Sequence, residues 1–304
     1  MKSNKTYILN SVSELHLFLN IKKPTHPLVS VVNLDDINSI VLEEMQTIVH
    51  NFYTVYLKNN FDGKVRYGQQ YYDFDDGIMT FFAPKQMFLI EENSTIKVEG
   101  WMLVFHPDFI QSYSLAKRIK EYGFFSYANN EALHVSDKEE TIINGLMQNL
   151  QQEIEAMIDN FTQDVVVSHI DLLLNYCNRF YNRQFITRKK ASNDLFLKFE
   201  DFLNAYYQND DLSVAGLPTV QYFAEKLFVS THYLNDMLKN LTGQTTQQHI
   251  QNQLLEKAKE LLSTTNLSVS EIAYQLGFEY PQSFSKVFKN KTNQTPLAFR
   301  QSFN

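Results

Sequence analysis

A single cysteine among 304 residues, Cys177, leaves the chain without an internal disulfide and without a thiolate cage for a metal. Leu174, Tyr176 and Phe180 fit a helix face beside it, so a buried, inert thiol and a cytoplasmic address are expected. No apolar run is long enough to span a bilayer, so no membrane partner is expected. Behind Met1-Lys2-Ser3-Asn4-Lys5 there is no apolar stretch of the kind that directs secretion. The sequence also lacks a His-x-His pair: His26, His50, His106 and His134 are scattered, and no metal site is expected. It has no G-x-S-x-G, no glycine-rich phosphate loop and no paired cysteines. An enzyme or a bound cofactor is therefore not expected. Basic excess is missing too, since 27 Lys and Arg stand against 34 Asp and Glu, a net charge of −7. That deficit is uneven. Residues 1–212 carry 19 basic and 28 acidic side chains, whereas residues 213–304 carry 8 and 6. Only the C-terminal part is cationic, and mildly so.

What the chain does have is a degenerate internal copy. Leu238-Lys239-Asn240-Leu241-Thr242-Gly243-Gln244-Thr245 reads against Phe288-Lys289-Asn290-Lys291-Thr292-Asn293-Gln294-Thr295, fifty positions on. Upstream, Ala224-x-x-Leu227 matches Ala273-x-x-Leu276 at an offset of 49. Each copy reads as a short helix, a tight turn and a second helix, the outline of a helix-turn-helix.

The length suits two domains: 1–182, a linker at 183–193, and 194–304. From about Val29 to Phe105, runs rich in β-branched and aromatic residues predict strands: 29–34, 52–57, 71–74, 78–82 and 101–105. Turn signals at 59–63, 75–77 and 91–94 separate them, and Asp76-Gly77 predicts a hairpin. Such spacing points to a small antiparallel barrel or jelly roll. Ser136-x-x-Glu139 is a capping box opening a helix with Ile142, Ile143, Leu146, Leu150, Ile154, Met157 and Ile158 on one stripe. A second helix, about 163–181, carries Val166, Ile170, Leu173, Leu174 and Cys177. The two form an antiparallel hairpin whose apolar stripes serve either to cover the barrel or to pair subunits. Arg183 to Asn193 is polar, with Arg188-Lys189-Lys190 read as a solvated hinge or an occasional phosphate contact.

Beyond the linker the pattern is helical: 194–207, 219–227 capped by Thr219, a helix capped by Ser230 and closed near Gly243, and a connector at about 246–262. Ser268-x-x-Glu271 caps the next, Pro281 opens another in its first turn, and Pro296 opens the last. In a helix-turn-helix the second helix enters the major groove. With Leu234, Leu238, Phe284, Val287 and Phe288 turned inward, the outward set is Thr231, His232, Asn235, Asp236 and Lys239 in the first unit. In the second it is Tyr280, Pro281, Gln282, Ser285, Lys286 and Lys289. Asn235 and Gln282 suit adenine, Lys286 guanine and Asp236 cytosine; Lys239 and Lys289 suit phosphate. A connector of this length would set the two reading helices roughly one duplex turn, about 34 Å, apart.

Residues 194–304 resemble the AraC/XylS-type transcriptional regulators. The likeness runs through Leu227-Phe228-Val229-Ser230, Tyr233-Leu234, Leu238 to Gly243, Ala258-x-x-Leu261-Leu262, Ser268-x-x-Glu271-Ile272-Ala273, Leu276-Gly277-Phe278, Ser283-Phe284-Ser285, Phe288-Lys289, Thr295-Pro296 and Phe299-Arg300. Asn293 departs from the family's glycine, yet asparagine tolerates a left-handed backbone. Asp236 and Pro281 occupy positions that often read bases in relatives, so sequence preference does not carry over. The N-terminal part resembles more loosely the cupin-like regulatory part of such proteins, through its strand run, Pro84, Gly100-Trp101, Phe105-His106-Pro107-Asp108 and the two helices. The resemblance implies an α+β chain: a cupin-like antiparallel β-barrel with a helical hairpin for dimerisation, then an all-α domain with two helix-turn-helix units. It implies promoter DNA, RNA polymerase, a second copy of the chain and a sugar-like or aromatic small-molecule effector as partners. Tyr53, Tyr72, Phe74, Phe82, Trp101 and Phe105 either line the effector pocket or fill the barrel core.

Overall fold

The computed structural model describes residues 5–302 apart from 38–39, 43–45, 68–69, 75–76, 91–93, 129–130, 188 and 209–215. Backbone contacts divide the chain into two units, Met1–Gln184 and Phe185–Asn304.

The N-terminal unit begins with β1 (Lys5–Leu9) and α1 (Val12–Phe18), where the Ser11 hydroxyl caps the helix by accepting from the Glu14 amide at 3.1 Å. There follow β2 (Val29–Asn33), β3 (Ile40–Leu42), β4 (Gln46–His50), β5 (Tyr53–Tyr67), β6 (Gln70–Phe74), β7 (Ile78–Phe82), β8 (Met87–Ile90) and β9 (Ser94–Phe105). Short helices α2 (Pro107–Ile110) and α3 (Leu115–Arg118), then β10 (Leu133–His134), lead to α4 (Asp137–Glu155) and α5 (Thr162–Thr187). The main sheet runs β10-β7-β5-β9-β2, antiparallel throughout, with β3 on β9 and β6 on β5. The second sheet, β1-β4-β8, pairs β1 and β4 in parallel. Leu9 and Ile48 from the small sheet meet Val32, Met102 and Val104 from the large one, with Val12, Leu15 and Phe52, in one buried cluster. Among the described pairings neither sheet closes on itself. Among the described residues the architecture is two facing sheets with helices, and no closed barrel forms where strand spacing points to a barrel or a jelly roll.

Strand β5 runs through a segment that the sequence reads as a turn. It has β9 along one edge, and β7 and β6 in succession along the other. Two-sided pairing carries the strand straight through the turn-rich segment 59–63, and the misfit shows only as register shifts after Lys58 and Phe61. Among the described pairings β6 and β7 both lie against β5; the expected hairpin turn at Asp76-Gly77 involves residue 76, which lies outside the described residues.

Side chains alternate across β5 and β9. Tyr53, Val55, Leu57, Trp101, Leu103 and Phe105 share one face, and Thr54, Tyr56, Lys58, Met102 and Val104 the other. The first face is covered by helices and loops: Tyr53 stacks on Phe105 and meets Phe125, Phe81 meets Phe124 and Tyr181, and Met79 lies 3.9 Å from Cys177.

In α4 the Glu139 carboxylate accepts from the Ser136 amide at 2.9 Å, the return half of the expected capping box. Ile143, Leu146, Met147, Leu150 and Ile154 are buried along it, and α4 packs on β2. The buried stripe of α5 runs from Val166 to Phe185 through Ile170, Leu173, Leu174 and Cys177. Arg183 near the end of α5 grips Glu139 near the start of α4, Nε to Oε1 at 3.0 Å, so the helices run antiparallel as expected. Of the stripe expected on α4, Met157 and Ile158 lie past the helix end at Glu155 and are exposed, as is Ile142. Phe161, in the turn between the helices, is exposed as well, and so are Leu172 and Ile186 of α5.

Where the sequence suggests an irregular linker at 183–193, the chain is helical on both sides of residue 188. The segment is polar but has neither glycine nor proline to break a helix, and Gln184 is buried, accepting from the His134 amide at 2.8 Å. The side chains of Arg188, Lys189 and Lys190 lie outside those described.

The C-terminal unit is helical: α6 (Lys189–Gln208), α7 (Val220–Leu227), α8 (Thr231–Thr242), α9 (Thr246–Thr264), α10 (Val269–Gln275), α11 (Pro281–Thr292) and α12 (Pro296–Gln301). On α6, Phe199, Leu203 and Tyr207 are buried, with Phe199 against Phe223 of α7, whereas Phe202 is partly exposed.

Candidate nucleic-acid interface

The internal copy survives in atomic detail. Helices α8 and α11 both span twelve residues, fifty apart. Thr242 Oγ1 donates to the Leu238 carbonyl and accepts from the Gln244 amide; Thr292 does the same with Phe288 and Gln294. Gly243 and Asn293 end their helices in the left-handed region at φ 75° and 60°, so the asparagine substitutes for glycine as expected. Thr245 and Thr295 then cap α9 and α12. In front of each recognition helix, the amides of Val229 and Phe278 return to the carbonyls of Ala224 and Ala273, both alanines being buried where the helices cross. Ser230 caps α8 through the Tyr233 amide at 3.1 Å, and Pro281 takes the first turn of α11.

This frame fixes which faces look outward. Leu234, Met237 and Leu238 are buried on α8, and Phe284 and Phe288 on α11, with Val287 half-buried. Of the residues expected to face DNA, His232, Lys239, Tyr280, Gln282, Lys286 and Lys289 are exposed; Thr231, Asp236, Pro281 and Ser285 are half-buried on the same faces. Asn235 is also half-buried, and its Oδ1 accepts from the Thr246 amide at 3.4 Å, tying α8 to the start of α9. Tyr233 packs against Phe185, ring centroids 5.2 Å apart. The two units are unequal in charge. Lys286, Lys289 and Lys291 stand on α11 without an acidic residue, whereas α8 sets Lys239 against Asp236.

The connector α9 has 19 residues, about 28 Å of helix. Its buried side, Ile250, Leu254, Leu255, Ala258, Leu261 and Leu262, packs on both helical pairs, and Arg300 Nε donates to the Leu262 carbonyl at 3.1 Å. Two groove-sized helices thus project from one stiff rod.

Residues 223–302 match the family described as a helix-turn-helix domain. This segment is a helix-turn-helix domain of the AraC type. Similar proteins include the HTH-type transcriptional activator RhaS of Escherichia coli O139:H28 (strain E24377A / ETEC), 37% identical over 78 residues, which are 26% of this chain and 28% of RhaS. The uncharacterized HTH-type transcriptional regulator YijO of Escherichia coli (strain K12) is 24% identical over 177 residues, covering 58% of this chain and 59% of YijO. Among solved structures, the C-terminal domain of the two-component response regulator yesN from Fusobacterium nucleatum subsp. nucleatum ATCC 25586 is 32% identical, with a TM-score of 0.32, covering 35% of this chain and 98% of that one. The chain spans less than two thirds of RhaS and of YijO.

Outside that AraC-type domain, the aromatic residues singled out in sequence are separated by the sheet. Tyr53, Trp101 and Phe105 lie on the helix-covered face, Phe105 fully buried. Phe82 lies on the inter-sheet face, with its ring 5.9 Å from Tyr56 and 6.3 Å from His50. The side chains of Tyr72 and Phe74 lie outside those described. The inter-sheet face gathers polar groups the sequence reading missed: His50, Thr54, Tyr56, Lys58 and Thr80. Burial holds His50 down to about 4 and Lys58 to about 8, and pushes Tyr56 up to about 12. The buried hydroxyls of Thr54 and Thr80 find no hydrogen-bond partner among the described residues. The one available signal was Thr54-x-Tyr56-x-Lys58, a polar register inside an otherwise apolar strand.

Proposed function

We propose that the chain is a sequence-specific, cytoplasmic regulator whose α8 and α11 occupy successive major-groove segments on one side of a promoter. The observation that carries this reading is the atomically repeated helix-turn-helix pair held on one 19-residue helix. In this reading Thr231, His232, Asp236, Gln282, Ser285 and Lys286 face bases, Lys239 and Lys289 face phosphates, and Tyr280 and Pro281 line the entry of α11. Asn235 reaches the duplex only by releasing Thr246. The chain acts as a homodimer, as is usual for proteins that read paired half-sites. Because RhaS is named an activator, contact with RNA polymerase at the promoter belongs to the same reading. Genome-wide binding sites recovered with the tagged chain test it. A shared motif spanning two adjacent groove segments is the expected result, and occupancy without any common sequence would overturn it.

The N-terminal unit serves in this proposal as a cupin-like regulatory module. A small polar effector, sugar-like or aromatic, binds between its sheets against Thr54, Thr80, Lys58 and the rings of Tyr56 and Phe82. Two buried hydroxyls without partners among the described residues support this placement, because an unsatisfied buried polar group costs about 1–3 kcal/mol that a ligand would recover. Occupancy would shift an existing balance of DNA-binding states, transmitted through residues 183–193. A second reading, a constitutive regulator whose N-terminal unit serves only pairing, draws on exposed Met157, Ile158 and Phe161. Melting the full chain against a metabolite panel separates them: stabilisation lost in Thr54→Val and Thr80→Val supports the effector site, and no stabilisation by any compound favours the second.

A further inference from the structure

The turn of the first helix-turn-helix contains a side chain that the fold does not need. Phe228 adopts φ 57° and ψ 39°, the left-handed region, where a bulky residue is an outlier. At the matching place in the second copy, forty-nine residues on, stands Gly277, with φ 84°. Phe228 gains no packing in exchange for this strain, since 77% of it is exposed. An apolar ring held in water on a strained backbone calls for a role outside the fold.

Its position says what the ring meets. The turn joins the helix that crosses the duplex backbone to the end of the helix that touches base edges, so it runs along the groove wall. Phe228 lies two residues before Ser230, the N-cap of α8, and Thr231 and His232 follow at once. In the major groove the apolar feature within reach of such a ring is the C5-methyl of thymine. We infer that Phe228 reads a thymine methyl group at the edge of the groove segment entered by α8. This inference rests on the DNA-binding reading above and adds one specificity-determining residue to it. The second unit lacks the ring at this place, so the two halves of the site differ in their demand for thymine.

The test starts from duplexes that the full chain selects from a randomised pool. Phe228→Gly and Phe228→Asn both suit the left-handed backbone, so each is expected to fold and to melt about 2–6 °C higher. Each is expected to bind the selected duplex about tenfold more weakly, without change in salt dependence, because the ring carries no charge. Replacing thymines one at a time with deoxyuridine should weaken the parent at one position in the α8 half and leave both variants unaffected there. Equal affinity of parent and variants, no methyl-dependent position, or loss of RNA polymerase recruitment with DNA affinity intact would each overturn the inference while leaving DNA reading in place. Failure of the parent to select any duplex would instead overturn the underlying reading.

Discussion

Two glycines with left-handed backbones do different jobs. At Gly277 a Cβ would come within 2.6 Å of the Gly216 carbonyl carbon and 2.7 Å of its oxygen, both backbone atoms, and φ is 84°. At Gly243 φ is 75° and nothing lies within 4 Å. Gly243→Ala should therefore cost only the conformational penalty, about 1 kcal/mol. Gly277→Ala adds a backbone collision and should cost more than about 2 kcal/mol. Urea midpoints at unchanged slope measure both, and equal losses would show that Gly216 yields freely. His50 supplies a residue-scale expectation in pH. Burial lowers its folded value from 6.5 to about 4, so the folded state holds the ring neutral while the unfolded chain takes up a proton. The associated stability is complete above pH 6.5 and is lost as pH falls toward 4, up to about 3 kcal/mol. Melting curves of the full chain at pH 7 and 5 should separate, and His50→Gln should narrow the gap.

Helices and strands differ in how far local sequence decides them. The α10 cap is local: Ser268 Oγ accepts from the Glu271 amide at 3.2 Å, and the Glu271 carboxylate accepts from the Ser268 amide at 2.7 Å. Ser268→Ala should cost about 1 kcal/mol. It should also let the Glu271 carboxyl rise, because the Ser268 hydrogen bonds are what hold it below the usual carboxylate range; an NMR titration reads this directly, and an unmoved value would show that the box is not formed in solution. Such caps, with Thr219, Ser230, Gly243, Pro281 and Pro296, made the C-terminal helices and their outward faces readable from the chain alone. Asn235 escaped because its partner, the Thr246 amide, belongs to another helix. The sheet was less legible. Residues 59–63 carry the local marks of a turn, yet β5 runs straight through them because it is paired on both edges. Which aromatic side chains face the inter-sheet space depends on the parity of each strand, and a one-residue change of register exchanges the faces. Tyr53, Trp101 and Phe105 therefore looked equivalent to Phe82 in sequence and lie opposite it in the fold.

At the scale of the whole molecule, the unusual quantity is charge. A DNA-binding chain with a net charge of −7 gains little from long-range attraction, and residues 1–212 oppose it with 28 acidic side chains against 19 basic ones. Binding then depends on the few cations that the recognition helices carry, Lys239 on α8 and Lys286, Lys289 and Lys291 on α11. If Lys239, Lys289 and Lys291 neutralise phosphates while Lys286 reads a base, the logarithm of the binding constant should fall with the logarithm of salt at a slope of about −3. Lys289→Ala should reduce that slope by about one and weaken all sequences alike. Lys286→Ala, nearer the start of its helix, should instead relax preference at one base pair at a cost of about 1–3 kcal/mol. The two substitutions differ by less than one turn of helix, so opposite behaviour in the same titration would locate α11 in its groove. A slope near zero, or identical losses from both, would mean that α11 lies across the duplex and does not enter it.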